Sequence, residues 1–143
     1  MTLWILDTDH VSLFQTGHPL ITQKVVSLDP NAIAVAIVTV EEQMYGRLNR
    51  IRRAKSTEDL RLAYFNLNRT LDYFQTINVL GFDEAAADCY QEIISHKLRV
   101  GTQDLKIAAI ALSRQAIVVT RNYRDFGKIP GLQVEDWSIY VGR

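Results

Sequence analysis

The chain is poor in the residues that build disulfides, thiolate metal centres and histidine-based catalysis. Its 143 residues include a single cysteine, Cys89, and only three histidines. One cysteine excludes an intrachain disulfide and, without partners, a thiolate zinc site. Its setting in a helical pattern reads as that of a small core residue. Charge of one sign is also missing. Sixteen basic residues balance sixteen acidic ones, so no global field draws the protein to nucleic acid or anionic membrane, and any nucleic-acid site must be local. No apolar stretch approaches the roughly 18 residues that span a bilayer, and the amino terminus shows neither a basic leader nor a long apolar run. The expectation is a cytoplasmic protein that is not held in a membrane. Repeats and low-complexity tracts are absent as well.

What is present is apolar material in alternation. At 48% hydrophobic, a chain of this length supports one core, and a single domain over 1–143 is expected. Apolar runs of strand length lie at Leu3 to Leu6, Ala32 to Val38, Ile77 to Gly81 and Ala116 to Thr120, with a shorter one at Leu132 to Trp137. Helical patterns separate them, which predicts an α/β fold with a mostly parallel five-stranded sheet flanked by helices. Between the second and third runs, Leu60, Tyr64, Leu67 and Leu71 recur at helical spacing, predicting a helical hairpin over Glu41 to Gln75. A further amphipathic helix is expected from Asp83 to Leu98, with Ala86, Tyr90, Ile93, Ile94 and Leu98 on its apolar face and Gly101 as its stop.

Acids stand just past several of these runs. Asp7 ends the first, Glu42 follows the second, Asp104 opens the helix Leu105 to Leu112, and Asn122 with Asp125 follows the fourth. In an open parallel sheet the carboxyl ends of the strands share one crevice, so side chains far apart in sequence converge there. Crowded carboxylates repel one another unless a cation neutralises them, and all-oxygen ligation points to Mg²⁺ or Mn²⁺. Each acid also has a local reading. Thr39-Val40-Glu41-Glu42 matches a capping box, Thr102 with Asp104 matches a cap and a first-turn acid, and Asp7-Thr8-Asp9 matches a turn. Helix starts after strands are also where such a metal site would sit, so the two readings remain open together.

These residues carry a resemblance. Ile5-Leu6-Asp7-Thr8-Asp9-His10, Val38 to Gly46, Gly101 to Asp104 with Ile107-Ala108-Ala109, and Val119 to Phe126 with Ile129 to Leu132 occur in order, ending in Glu135-Asp136-Trp137. The chain resembles the PIN-domain proteins, specifically the VapC-type toxins of bacterial toxin–antitoxin systems, and the likeness spans its whole length. The resemblance implies a PIN-like three-layer sandwich and an endoribonuclease acting on RNA with Mg²⁺, or Mn²⁺, as cofactor. It makes Asp7 and Asp104 metal-binding carboxylates and places Glu42, rather than Glu41, in the second acidic position. It further implies a VapB-type antitoxin as partner, and a homodimer. One position departs from the pattern. Where many relatives carry aspartate the chain has Asn122, which is neutral but can offer a carbonyl oxygen. Asp125 is therefore the expected fourth catalytic acid, directly or through water, with Asn122 and Asp9 as supporting candidates. A surface pairing of Asp125 with Arg124 or Arg121 is the alternative.

Such a site lowers the pKa of a bound water and aligns it with a phosphodiester, leaving a 5′-phosphate and a 3′-hydroxyl. No histidine base is required. His10 reads as a loop or helix-start residue. Arg47, Arg50, Arg52, Arg53 and Lys55 follow Glu42 closely and form the strongest local basic feature. Arg47, Arg50 and Arg53 are expected to contact RNA or the antitoxin, unless this is simply a solvated helix face. Tyr45 and Phe14 read as core or interface aromatics, and the apolar faces within Tyr64 to Phe74 and Ile33 to Ile37 serve either a dimer or the core. Two rival functions stand beside this one. Asp7-Thr8-Asp9 also resembles the start of a haloacid-dehalogenase-like phosphatase, although no good Gly-Asp pair follows, and a scaffold weakened by Asn122 could persist as a binding partner.

Overall fold

The computed structural model describes residues 1–140. Five strands form one sheet: β1 (Trp4–Leu6), β2 (Ile33–Ala36), β3 (Asn78–Leu80), β4 (Ile117–Val119) and β5 (Gln133–Glu135). Their order is β3-β2-β1-β4-β5, and each adjacent pair is parallel. Seven helices connect them: α1 (Thr8–Gln15), α2 (Pro19–Val26), α3 (Ile37–Arg52), α4 (Thr57–Gln75), α5 (Glu84–Ser95), α6 (Thr102–Ser113) and α7 (Tyr123–Phe126).

The alternation of side chains along each strand explains the layers. Ile5, Ala34, Ala36 and Val118 face one side, where α5 and α6 bring Ala86, Ile93, Ile107, Ala108 and Ala111. Leu6, Ile33, Val35 and Val119 face the other, against Val11 of α1, Ile21 of α2 and Trp137. With both faces covered, the three inner strands β1, β2 and β4 contain no polar position and read as unbroken apolar runs, whereas the edge strands β3 and β5 carry Asn78, Gln133 and Glu135. The alanines of α6 leave its helix axis free to approach the sheet closely. Among the described residues no helix is long and apolar enough to cross a membrane.

Several expectations need correction. The second strand ends at Ala36 rather than Val38, because the chain turns directly into α3 there. Thr39 is consequently inside the helix and buried, the N-cap is Ala36 without a side-chain bond, and no capping box forms. The cap of α6 is Gly101, so Thr102 is its first helical residue and Gly101 starts a helix instead of stopping one. The helix from Asp83 ends at Ser95, with Lys97 at φ 54°, and Ile94 is exposed. The last strand is confined to Gln133–Glu135.

The hairpin exists as α3 and α4, but α4 presents a different face to the molecule. Ala63 and Thr70 are buried, whereas Leu60, Tyr64 and Leu71 are 40–51% exposed. The helical period was legible but its phase was not. Small residues let α4 lie close to α3, and the bulkier stripe turns outward. Of the two candidate dimer faces, Ile33 to Ala36 belongs to the core.

Candidate functional site

β1 is the central strand, and the chain leaves it first toward β2 and β3, then returns on its other side as β4 and β5. The carboxyl ends of β1 and β4 are thus the point where strand order reverses, the usual ligand crevice of open parallel sheets. A cleft of about 470 Å³ lies there, lined by Asp7, Thr8, Asp9, Glu42, Asp104, Arg121 and Asn122.

Asp7 directly follows β1. Its backbone N–H donates to Val119 O at 3.0 Å, fixing it beside β4. Its Oδ1 accepts from His10 N at 2.8 Å, which makes Asp7 the N-cap of α1. Glu42 sits on α3 and accepts a hydrogen bond from the Thr8 hydroxyl. Thr8 Oγ1 also lies 3.1 Å from Oγ1 of the buried Thr39, so these threonines hold Glu42 toward the first strand. Asp104 enters from the first turn of α6.

Asp104 records the crowding. Its partial burial and the nearby carboxylates of Asp7, Glu42 and Asp125 raise its pKa to about 6, against the opposing hydrogen bond from Asn122. Burial is the largest cause, and the three acids add to it. A half-buried carboxyl in that setting is suited to a divalent cation, whose charge would favour the ionised form.

Asn122 is placed in the cleft, but not with a free carbonyl oxygen. Its Oδ1 accepts from Asp125 N at 3.3 Å, capping α7. Its Nδ2 donates to Asp104 Oδ2 at 3.3 Å and to Asp125 Oδ2 at 3.1 Å. Two carboxylates on one side and an N–H on the other fix the amide orientation. Asn122 therefore braces the acids. Asp125 stands behind it, outside the cleft lining, with Lys128 Nζ at 3.7 Å. It pairs with neither Arg121 nor Arg124 as the alternative had it.

Arg121, which the sequence reading offered only as a surface partner of Asp125, lines the cleft. It makes a bidentate contact with Asp9, at 2.6 and 2.8 Å. The pairing joins residues 112 positions apart, and only the shared motif position could have hinted at it. Asp9 is thus neither the cap of α1 nor free. Asp7, Asp9 and His10 do have ligand atoms within 4.8 Å of one another. A cation held by this trio would compete with Arg121 for Asp9. It would also compete with the Trp137 N–H for the His10 ring, whose Nε2 accepts that donor at 3.2 Å. His10 lies in the first turn of α1, a helix-start residue as read from the sequence, and is fully buried. The oxygens of Asp7, Glu42 and Asp104 fit a hard cation better.

The expected basic rim is dispersed. Arg47 folds back so that its Nε donates to Thr70 Oγ1 at 2.8 Å, while Arg50 on α3 and Arg53 at its C-cap are exposed outside the cleft lining. Tyr45 is 68% exposed, and Phe14 packs in the core against Tyr73.

No family model matches the chain. Curated proteins do. A tRNA(fMet)-specific endonuclease VapC from Shigella flexneri is 30% identical over 142 residues, covering 96% of this chain and all of that one. Ribonuclease VapC1 from Haemophilus influenzae is 26% identical over 145 residues, covering 95% of this chain and 98% of its own. Among solved structures, DNA-bound VapBC from Salmonella typhimurium superposes with a TM-score of 0.78 at 29% identity, covering 96% of this chain and 99% of that one. VapBC-1 from nontypeable Haemophilus influenzae gives 0.76 at 23% identity, covering 96% and 100%. With the strand order, the cleft at the reversal point and this full-length likeness all in agreement, the chain belongs to the VapC-type PIN-domain toxin family.

Proposed function

We propose that this protein is an endoribonuclease that requires a divalent cation, Mg²⁺ or Mn²⁺, and acts as the toxin of a toxin–antitoxin pair. The observation that carries the proposal is the gathering of Asp7, Glu42 and Asp104 around one cleft, with the Asp104 pKa raised to about 6. Relatives whose names specify a tRNA endonuclease or a ribonuclease support RNA as the substrate. Structural neighbours described as VapBC complexes support a VapB-type antitoxin as partner. A homodimer belongs to the same reading, with the exposed Tyr64, Phe65 and Leu71 of α4 as apolar surface available to it.

In this reading Asp7, Glu42 and Asp104 hold the ion, and Asn122 with Asp125 keeps Asp104 in place. A bound divalent cation supplies an activated water and neutralises charge on the leaving oxygen. The Thr8 hydroxyl orients the Glu42 carboxylate. Arg121, tied to Asp9, sets a positive charge at the edge of an otherwise acidic cleft and receives a flanking phosphate. The neutral Asn122 leaves the site one carboxylate poorer than an aspartate would, which is the observation favouring the second reading, a weakened scaffold that binds without cutting.

Incubating antitoxin-free protein with total bacterial RNA and Mg²⁺ or Mn²⁺ separates the two. Discrete products with 5′-phosphates, lost with chelator and with Asp104→Asn, are the expected result. Folded protein that cuts nothing with either ion refutes the enzyme.

A further inference from the structure

A second cavity, of about 420 Å³, opens between α1, α3 and α4. Its lining differs from that of the catalytic cleft: the charged residues are two arginines, Arg47 and Arg69, and no carboxylate faces it. Phe14 and Tyr73 add aromatic surface, and Gln15 and Asn66 add amide groups. The Tyr73 hydroxyl is buried with no hydrogen-bond partner among the described residues. A buried phenol normally finds one. Burial also pushes the Tyr73 pKa up to about 12, so the group remains a proton donor. Arg69 lies 5.9 Å from the Phe65 ring centroid, which holds its guanidinium at the rim.

Two of the three helices that line this cavity, α1 and α3, also carry the catalytic cleft. Ser12 lies four residues beyond Thr8 on α1, and Arg47 lies five beyond Glu42 on α3. At the rise of an α-helix these offsets are ~6 and ~7.5 Å, about two nucleotides of a stacked strand. A strand with one phosphate among the acids would thus carry a neighbouring nucleotide to the arginine-lined cavity. Arginine matches phosphate, aromatic faces match bases, and amides match base edges.

We infer that the α1–α3–α4 cavity is a nucleotide-binding subsite, which takes one base and its phosphate from the single-stranded RNA flanking the scissile bond. The inference rests on the ribonuclease reading above.

The test compares wild type with Arg69→Gln, Tyr73→Phe and Arg114→Gln, the last making the same charge change at the opposite end of the sheet. Binding of a fluorescent single-stranded oligoribonucleotide is read by anisotropy in Ca²⁺, cleavage in Mg²⁺ on parallel samples, and folding by thermal melts. Arg69→Gln is expected to weaken RNA binding about tenfold through the lost phosphate contact and to flatten the salt dependence by roughly 0.7 in log–log slope, and Tyr73→Phe, which keeps the ring and loses one hydrogen bond, to weaken it about two- to tenfold. Arg114→Gln should leave both unchanged, and Tyr73→Phe should not lower the melting temperature. Wild-type affinity in both pocket variants, while wild type still cuts, removes the subsite and leaves the enzyme standing. Loss of affinity for an antitoxin peptide with RNA binding intact also removes it, assigning the cavity to protein. A wild type that neither binds nor cuts RNA removes both readings.

Discussion

Replacing Asp104 with asparagine should stabilise the metal-free protein at neutral pH, although it removes a central group of the site. Burial and the neighbouring carboxylates push the pKa of Asp104 up to about 6 from an ordinary value of 3.8. That rise corresponds to about 3 kcal/mol. Asp104 is only half-buried, so solvent screening reduces the realistic figure to ~1–2 kcal/mol. An acid with a raised folded-state pKa binds more protons folded than unfolded. Its ionisation therefore opposes folding progressively as pH rises from about 4 to about 6, and fully above that. Asparagine retains an oxygen for the Asn122 Nδ2 donor, so the bracing contact survives. In chelator at pH 7.5 the variant should melt roughly 3–8 °C above wild type, and at pH 4 the two should coincide. Millimolar Mg²⁺ should reverse the order by stabilising wild type alone, by about 2.7 kcal/mol at a hundredfold excess over Kd. A variant no more stable than wild type at pH 7.5 in chelator, or one equally favoured at pH 4, refutes the carboxylate-crowding argument.

Two further outcomes follow from the same geometry. Asn122→Asp removes the two Nδ2 hydrogen bonds and adds a charge, so the metal-free protein should lose ~1–2 kcal/mol. Calorimetric titration should at the same time show tighter Mg²⁺ binding, and unchanged affinity would place Asn122 outside the ligand field. His10→Ala removes a fully buried ring and the acceptor for Trp137 N. Urea denaturation should show a loss of ~2–4 kcal/mol, and a loss below ~1 kcal/mol would mean the ring does not pin the carboxyl-terminal segment to α1.

Much of the architecture was legible because parallel strands buried on both faces leave uninterrupted apolar runs. Every strand falls within or beside one of those runs, and the residues after β1 and β4, Asp7 and Asn122, converge on one cleft as the strand order requires. Three features were not legible, each for its own reason. The phase of α4 was hidden because both stripes of that helix carry apolar residues, and tertiary packing on α3 selected the smaller ones, Ala63 and Thr70. The start of α3 was hidden because Ala36 enters the helix without any capping side chain. The role of Asn122 was hidden because it depends on where Asp104, eighteen residues away, directs its carboxylate. The phosphatase reading of Asp7-Thr8-Asp9 fails with family membership, and the Arg121 pairing leaves Asp9 poorly placed as a general acid.

The sequence left a local turn and metal binding as alternative accounts of Asp7, whereas in the structure the residue caps α1 and still lines the acidic cleft. One carboxylate oxygen accepts from His10 N while the residue lines the acidic cleft. Removing the charge and removing the cap are therefore separable perturbations. Asp7→Ser and Asp7→Ala abolish the same charge and relieve Asp104 equally, so that electrostatic gain cancels when the two are compared. Serine retains an oxygen able to cap α1, and alanine does not. The serine variant should be the more stable by ~1 kcal/mol, at pH 5 and pH 8 alike. Both should lose RNA cleavage by about a thousandfold, the kinetic equivalent of several kcal/mol of charge stabilisation. Equal stability of the two variants would dissociate Asp7 from the cap. Near-wild-type cleavage by the serine variant would dissociate it from the ion, and with it the proposal that strand-end acids hold the cation.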